Sequence, residues 1–428
     1  MEKTKKSGKF WLALVIFCLT GQVAWVVENM YFNVFIYKMF NASASAISAM
    51  VAASSVAATV TTLLIGALSD KLGKRKIFIC GGYIACGISI WSFALLRLDV
   101  LEGLFPHVAS AASLGVSLTI IMDCIMTFFG SSANDACFNA WLTDISDDTN
   151  RGSIEGVNAM MPLVAILVVF GGFMGLDQNL ASSWVTIFNV IGIAVILVGV
   201  SGIFLIKDVP VKTEENQNFF RNIFYGFRRS VVASNPKLYF TLIALAVFNI
   251  SIQTFMPYLI LYFTETLKLA NYVLIFAPAI LVAAVFTGFY GPVYDKKGFK
   301  AAVVPTVVLL LVGYLLLYFF RNTALVFVGT LVMMCGYLGT GAMIGAKVRT
   351  HTPANKSGMF QGLRIFAQVL IPGVIGPYIG SFVLRNADTI VNGDGTVSFI
   401  PNANIFLAAF ITGLAIWVAL LPLMKKER

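Results

Sequence analysis

The sequence predicts an all-α membrane protein: twelve transmembrane helices in two six-helix pseudo-repeats, with both termini cytoplasmic. Three observations carry this. Hydrophobic residues fill 58% of the 428 positions and charged residues only 12%, a balance that soluble domains do not show. Apolar runs recur at lengths near the roughly 20 residues a helix needs to cross a hydrocarbon core. The connections between them alternate between rich and poor in Lys and Arg.

The first run, 10–38, follows Lys3, Lys5, Lys6 and Lys9. That charge resembles a secretory leader, but the run is too long and no small-residue cleavage site follows, so it reads as a span. Spans two to six are predicted at 44–69, 77–96, 108–141, 154–175 and 183–206. Spans seven to twelve are predicted at 238–263, 271–293, 301–320, 323–346, 358–384 and 402–424. The polar stretch 207–236 then separates a bundle over 1–206 from one over 237–428. Within it Phe220, Ile223, Phe224 and Phe227 stand at helical spacing beside Arg221, Arg228 and Arg229, which suits either a helix on the membrane surface or a plain linker. Between spans eleven and twelve, β-formers flank an Asn-Gly-Asp-Gly turn over Thr389–Phe399, predicting a small hairpin. Asn41-Ala-Ser is a glycosylation sequon by pattern alone.

With these twelve spans, 25 of the 30 Lys and Arg residues fall on the side of the termini and 5 on the other (Lys38, Arg97, Lys268, Arg321 and Arg385). Cytoplasmic connections carry the excess of cations, so both termini are expected in the cytoplasm of a plasma-membrane protein. The net charge of +10 is therefore an orientation signal, and nucleic-acid binding is not expected. Cys18, Cys80, Cys86, Cys124, Cys137 and Cys335 lie in apolar runs without CxxC or Cys/His clustering, so neither zinc nor disulfides are expected. G-x-S-x-G, H-E-x-x-H and G-x-x-x-x-G-K-[ST] are absent. No enzyme, no ATP-driven pump and no cofactor is expected.

Internal repetition narrows the reading further. After span two stands Gly66-Ala-Leu-Ser-Asp70-Lys-Leu-Gly73-Lys-Arg75-Lys, and after span eight Gly291-Pro-Val-Tyr-Asp295-Lys-Lys-Gly298-Phe-Lys300; both read G-x-x-x-D-K-x-G, 225 residues apart. Gly152-Ser-Ile-Glu155-Gly at span five matches Gly358-Met-Phe-Gln361-Gly at span eleven, 206 residues apart. A duplicated six-span unit follows, and repeats of this kind rock around a site at their interface.

The G-x-x-x-D-[RK]-x-G-[RK]-[RK] string resembles the signature of the major facilitator superfamily, and its echo at Gly291–Lys300 is similar. The resemblance implies that Asp70 braces the eleventh span and Asp295 the fifth; basic loops that only anchor topology are the plainer alternative. Asn139 to Gly152, including Asp144 and Arg151, together with the long first span and the Ile-Met-Asp123 stretch, resembles the glycoside-pentoside-hexuronide:cation symporters and proton-coupled sucrose carriers. Those that use sodium place acids in span two, whereas 44–69 here has none, so a proton is favoured over sodium. The drug-antiporter glycine-proline motif is absent from span five.

Ionisable groups inside spans are functional candidates, since each costs about 2.5–3.5 kcal/mol to insert. Glu28, Asp123 and Asp135 are the expected cation-coupling residues. Glu155 lies near a helix end and suits a gating or structural role. On a wheel of about 100° per residue, Gln22, Trp25, Asn29 and Asn33 share one face, and Glu28 stands about 60° from Trp25. Polar groups beside an indole suit a sugar, whose hydroxyls need hydrogen bonds and whose ring stacks on aromatics; amides that only join helices are the alternative. Asp123, Thr127, Gly130 and Asn134 share a face, with Asp135 about 120° away. For these acids a permanent ion pair is the competing role.

Glu28 matches Gln253 at the first offset, and Glu155 and Asn158 match Gln361 and Arg364 at the second. Acids of the first half become amides in the second. Cation coupling is thus expected in the first half, with Asn249, Gln253, Tyr258, Gln361, Arg364 and Gln368 binding or orienting substrate. The expected protein is a monomeric secondary transporter importing a small molecule, a sugar or glycoside, with a proton. An exporter of organic solutes, a sodium-coupled carrier and a non-transporting receptor of the same fold remain open.

Overall fold

The computed structural model describes residues 7–145, 151–208, 225–269, 271–352, 362–392 and 396–424. Among these residues ten helices are long and apolar enough to cross a membrane. They and one further helix are α1 (Gly8–Phe40), α2 (Ala44–Leu72), α3 (Lys76–Leu95), α4 (Ala111–Ile145), α5 (Arg151–Phe173), α6 (Ala181–Leu205), α7 (Pro236–Thr266), α8 (Val273–Phe319), α9 (Thr323–His351), α10 (Gly362–Val383) and α11 (Asn404–Met424). The apolar portion of α5, Met160–Phe173, is the shorter one. The 47 residues of α8 bend sharply at Gly298, whose φ of 82° and ψ of 174° are not helical.

Side chains at the helix ends explain where the helices stop. Ser7 accepts from the Phe10 amide and caps α1, which ends at Asn41 in the left-handed region (φ 51°). Short polar side chains tolerate that conformation. The turn after α2 needs a positive φ at Gly73 (62°), and Gly298 has the same requirement in the repeated string. The glycine that the two motifs share is therefore fixed by backbone sterics.

The chain divides into two compact units, residues 1–42 with 56–217, and 43–55 with 218–428. In the first, an aromatic core of Phe32, Phe35, Phe93, Trp184 and Phe188 joins α1, α3 and α6, with Phe32 and Phe93 centroids 4.4 Å apart. The backbones of α3 and α6 touch. A Cβ on Gly192 would lie 2.7 Å from the Trp91 amide nitrogen and 2.9 Å from the Gly87 carbonyl oxygen. Small residues permit such approaches between membrane helices. Gly192→Leu is expected to force these helices apart at a cost of about 1–3 kcal/mol or more. Its measure is the monodisperse fraction on size exclusion after extraction, which should fall steeply, whereas Gly103→Ala, in open space, should behave as the parent.

In the second unit α8 and α9 pack equally closely: a Cβ on Gly336 would lie 2.2 Å from the Leu310 nitrogen. The predicted hairpin is present. β1 (Thr389–Val391) pairs antiparallel with β2 (Val397–Phe399), Thr389 opposite Phe399, and the Asn392 amide donates to the Thr396 and Ser398 hydroxyls at 2.9 Å. Its Gly393–Gly395 turn lies outside the described residues. The expected surface helix around Phe220 also lies mostly outside them. The part that is described forms a single 3-10 turn (Tyr225–Phe227) and the short helix Arg229–Ser234, and the Phe227 ring packs 5.0 Å from Phe366 of α10.

Candidate functional site

Among the described residues four helices carry π turns: Val27–Tyr31 in α1, Ser132–Phe138 in α4, Tyr262–Thr266 in α7 and Phe366–Leu370 in α10. Each inserts an extra residue into its helix, a feature frequent at functional sites. Each holds polar side chains: Glu28 and Asn29, Asn134 and Asp135, Glu265, and Gln368.

In the first unit α1 and α4 meet through Glu28. The Thr127 hydroxyl donates to Glu28 Oε1 at 2.8 Å. Asp123, one turn before Thr127 in α4, is 1% exposed, and both carboxyls lie within electrostatic reach of the Cys124 thiol. The structure thus gathers Glu28, Asp123 and Thr127 inside one unit. Asp135 stands apart and is exposed; it accepts from the Ser131 hydroxyl and the Asn134 amide at 2.9 Å each. The Tyr83 hydroxyl of α3 lies 3.1 Å from both Asn134 Oδ1 and the Phe17 carbonyl, fixing which end of the Asn134 amide faces Asp135. A Cβ on Gly21 would come within 2.3 Å of Asn134 Oδ1, so α1 leaves room there for the amide alone.

The predicted strip on α1 is only partly formed. Trp25 is 39% exposed, and Gln22 and Asn29 are half-buried, but Asn33 is fully buried. The Asn29 amide donates to the Trp25 carbonyl, and the Asn33 amide to the Asn29 carbonyl. The π turn at Val27–Tyr31 intervenes, and its extra residue rotates Asn33 off the face that a constant turn of about 100° per residue would give it with Gln22 and Trp25.

In the second unit Arg364 Nε donates to Gln368 Oε1 at 3.2 Å, placing both on one side of α10. Asn249 is half-buried and its amide donates to the Leu245 carbonyl. Gln253 sits where α7 passes Gly376, whose Cβ would be 2.6 Å from that of Gln253. Tyr258 is fully buried, and its hydroxyl meets the Ala44 and Pro377 carbonyls at 3.0 and 3.1 Å, a contact that joins helices. Gln361 lies outside the described residues, as do the side chains of Arg151 and Glu155. Helix α7 also runs past its predicted end and takes in Glu265, 4.0 Å from Lys268. The second half therefore does carry an acid at a span end.

At the opposite end of the first unit the repeated string makes an ionic knot. Arg75, 4% exposed, pairs with Asp70, donates through Nε to Asp144 Oδ2 at 3.2 Å, and reaches the Ser69 hydroxyl. Asp208, which the sequence reading passed over, accepts from the Arg75 and Lys76 amides at 3.1 and 2.9 Å and caps the start of α3. A carboxylate there satisfies free amides and complements the helix dipole. Asp208 is the first acid after the sixth span in a mostly basic connector, which is the signal that could have found it. Gly66 of the same string passes Ala136 of α4 at 3.9 Å from its Cβ position. Around Asp295 and Gly291 in the second copy no comparable ion pair forms among the described residues; instead Lys347 stacks over Phe299 at 5.4 Å.

A sequence profile of the Major Facilitator Superfamily matches residues 10–377. A search of curated protein sequences finds no match. Among solved structures, the nucleoside transporter NupG is similar with a TM-score of 0.65 at 14% identity, over 98% of each chain. The xylose transporter XylE from E. coli gives 0.70 at 14% identity, over 98% of this chain and 96% of that one. A bacterial homologue of the human lysosomal transporter Spinster gives 0.69 at 14%, over 97% and 96%. At these identities the likeness is one of fold.

Proposed function

Because the chain belongs to the Major Facilitator Superfamily, and so is a multi-pass integral membrane protein, we propose that it takes up a sugar or glycoside together with a proton by alternating access. The bend at Gly298 supports reading α8 as two spans, and with α5 a count of twelve. An even count, with 25 of 30 cations on the side of the termini, supports a cytoplasmic position for both termini. The two halves, 1–206 and 237–428, then act as the rocking bodies around the connector 207–236.

The observation that carries the coupling is the Glu28–Thr127 contact beside buried Asp123. A carboxyl in apolar surroundings binds its proton more tightly than in water, so a change in hydration on opening releases it. The absence of acids from 44–69 supports a proton over sodium. Two structural neighbours are named for a pentose and for a nucleoside. Both ligands are hydroxylated rings, the chemistry that Gln22 and Asn29 beside the exposed Trp25 suit.

In the second half, Arg364 and Gln368, joined through Nε and Oε1, set a guanidinium and an amide on one helix face. Arg364→Ala is expected to weaken substrate binding about tenfold, the equivalent of a charge-assisted hydrogen bond. Equilibrium binding of labelled substrate to purified protein measures this, and wild-type affinity would remove Arg364 from the site. The proposal as a whole is tested by uptake of labelled mono- and disaccharides and nucleosides into proteoliposomes under an imposed proton gradient. Accumulation of none of them would refute it.

A further inference from the structure

Where α10 ends and α11 begins, a cavity of about 620 Å3 opens in the second unit. Its polar end holds Arg385, Asn386 and Asn404, and its apolar end Phe382, Leu407 and Ile411. Phe382 also lines a second groove of about 390 Å3 that continues along α10 past Tyr378 and Ile375 to Val374. The two form one channel on the outside of the helices, charged at one end and apolar along the rest. Phe382 is 73% exposed and Ile411 59%.

Three features say what fills it. Arg385 is one of five cations outside the connections where the rest concentrate. Among the described residues no carboxylate stands within ion-pair distance of it, and Asp388 does not line the cavity. A net negative group is therefore favoured over a zwitterion, and Asn404, opening α11, adds the positive end of a helix. From Val374 to Val383 the helix rises about 14 Å, against about 15 Å for the hydrocarbon of one leaflet. The polar end then lies at headgroup level, beside the hairpin that leaves the membrane, and the apolar end near the midplane.

We propose that this channel seats one anionic phospholipid of the leaflet on the hairpin's side, its phosphodiester on Arg385 with Asn386 and Asn404, and an acyl chain along Phe382, Tyr378 and Ile375. The inference needs only that the chain spans a membrane and stands apart from what it transports.

The test is native mass spectrometry of the purified full-length protein in neutral detergent. It is equilibrated with phosphatidylglycerol, with phosphatidylcholine of the same chains, or with glycerol phosphate. Phosphatidylglycerol should be retained in preference to phosphatidylcholine, and Arg385→Gln should bring the two to parity. Ile411→Trp, which fills the apolar end and leaves the cation, should lose both adducts. Equal retention of the two lipids by the parent, or an unchanged preference in Arg385→Gln, overturns the proposal. Displacement of the lipid by an equal concentration of glycerol phosphate also overturns it, assigning the site to free phosphate.

Discussion

Replacing Glu28 by Gln is expected to abolish accumulation of substrate while leaving exchange across the membrane largely intact. Gln keeps the volume of the side chain and an oxygen that can accept from the Thr127 hydroxyl, now 2.8 Å from Glu28 Oε1. What it loses is the ability to carry a proton. A potential of about 100 mV is worth about 2.3 kcal/mol per charge moved, enough for about fifty-fold accumulation. The variant should fall to equal concentrations on both sides, while counterflow of labelled against unlabelled substrate continues. Concentrative uptake at the parent level would take Glu28 out of the mechanism. Asp123→Asn, tested alongside, tells whether the buried neighbour shares the role.

The second large effect is structural and concerns Arg75. Arg75 is 4% exposed, and its guanidinium is held by Asp70, Asp144 and Ser69. Removing one partner of a buried pair costs about 3–5 kcal/mol because the other charge is left without compensation. The Asp144 side chain is 25% exposed and that of Asp70 61%. Solvent therefore reduces the loss, and Asp144→Ala is expected to cost about 2–3 kcal/mol. The thermal midpoint of the detergent-solubilised protein should drop accordingly. The double variant Arg75→Met, Asp144→Leu should recover much of it, since an apolar pair leaves no buried charge. Equal destabilisation by the single and double variants would show that the ion pair itself is not what holds these helix ends.

Much of the architecture was legible in the sequence because lipid allows few solutions. A segment that crosses hydrocarbon must satisfy its own backbone, so apolar length reads directly as helix. The repeated glycines were legible for a similar reason: Gly73 and Gly298 adopt positive φ that other residues avoid. The hairpin at Thr389–Phe399 announced itself through β-formers around a turn. The site was less legible, and the π turns are the reason. They leave no mark in hydropathy, yet each shifts the helical register by one residue. Asn33 accordingly left the predicted face for the interior, whereas Asp135 stands apart from Asp123, as its helical position implied, and accepts from Ser131 and Asn134. Contacts set by distant chain segments were also out of reach. The Tyr83 hydroxyl on Asn134 and the Asp208 cap of α3 depend on residues 51 and more than 130 positions away. Tyr258, expected to bind or orient substrate, instead meets two backbone carbonyls with its hydroxyl.

The claim beneath this account is that carboxyls inside the first unit couple substrate movement to protons. Uptake into proteoliposomes, with proton and sodium gradients imposed one at a time, tests it most directly. The account predicts concentrative uptake of a sugar or glycoside under the proton gradient, collapse on adding a protonophore, and no response to sodium. Uptake that survives the protonophore and follows the sodium gradient would contradict it.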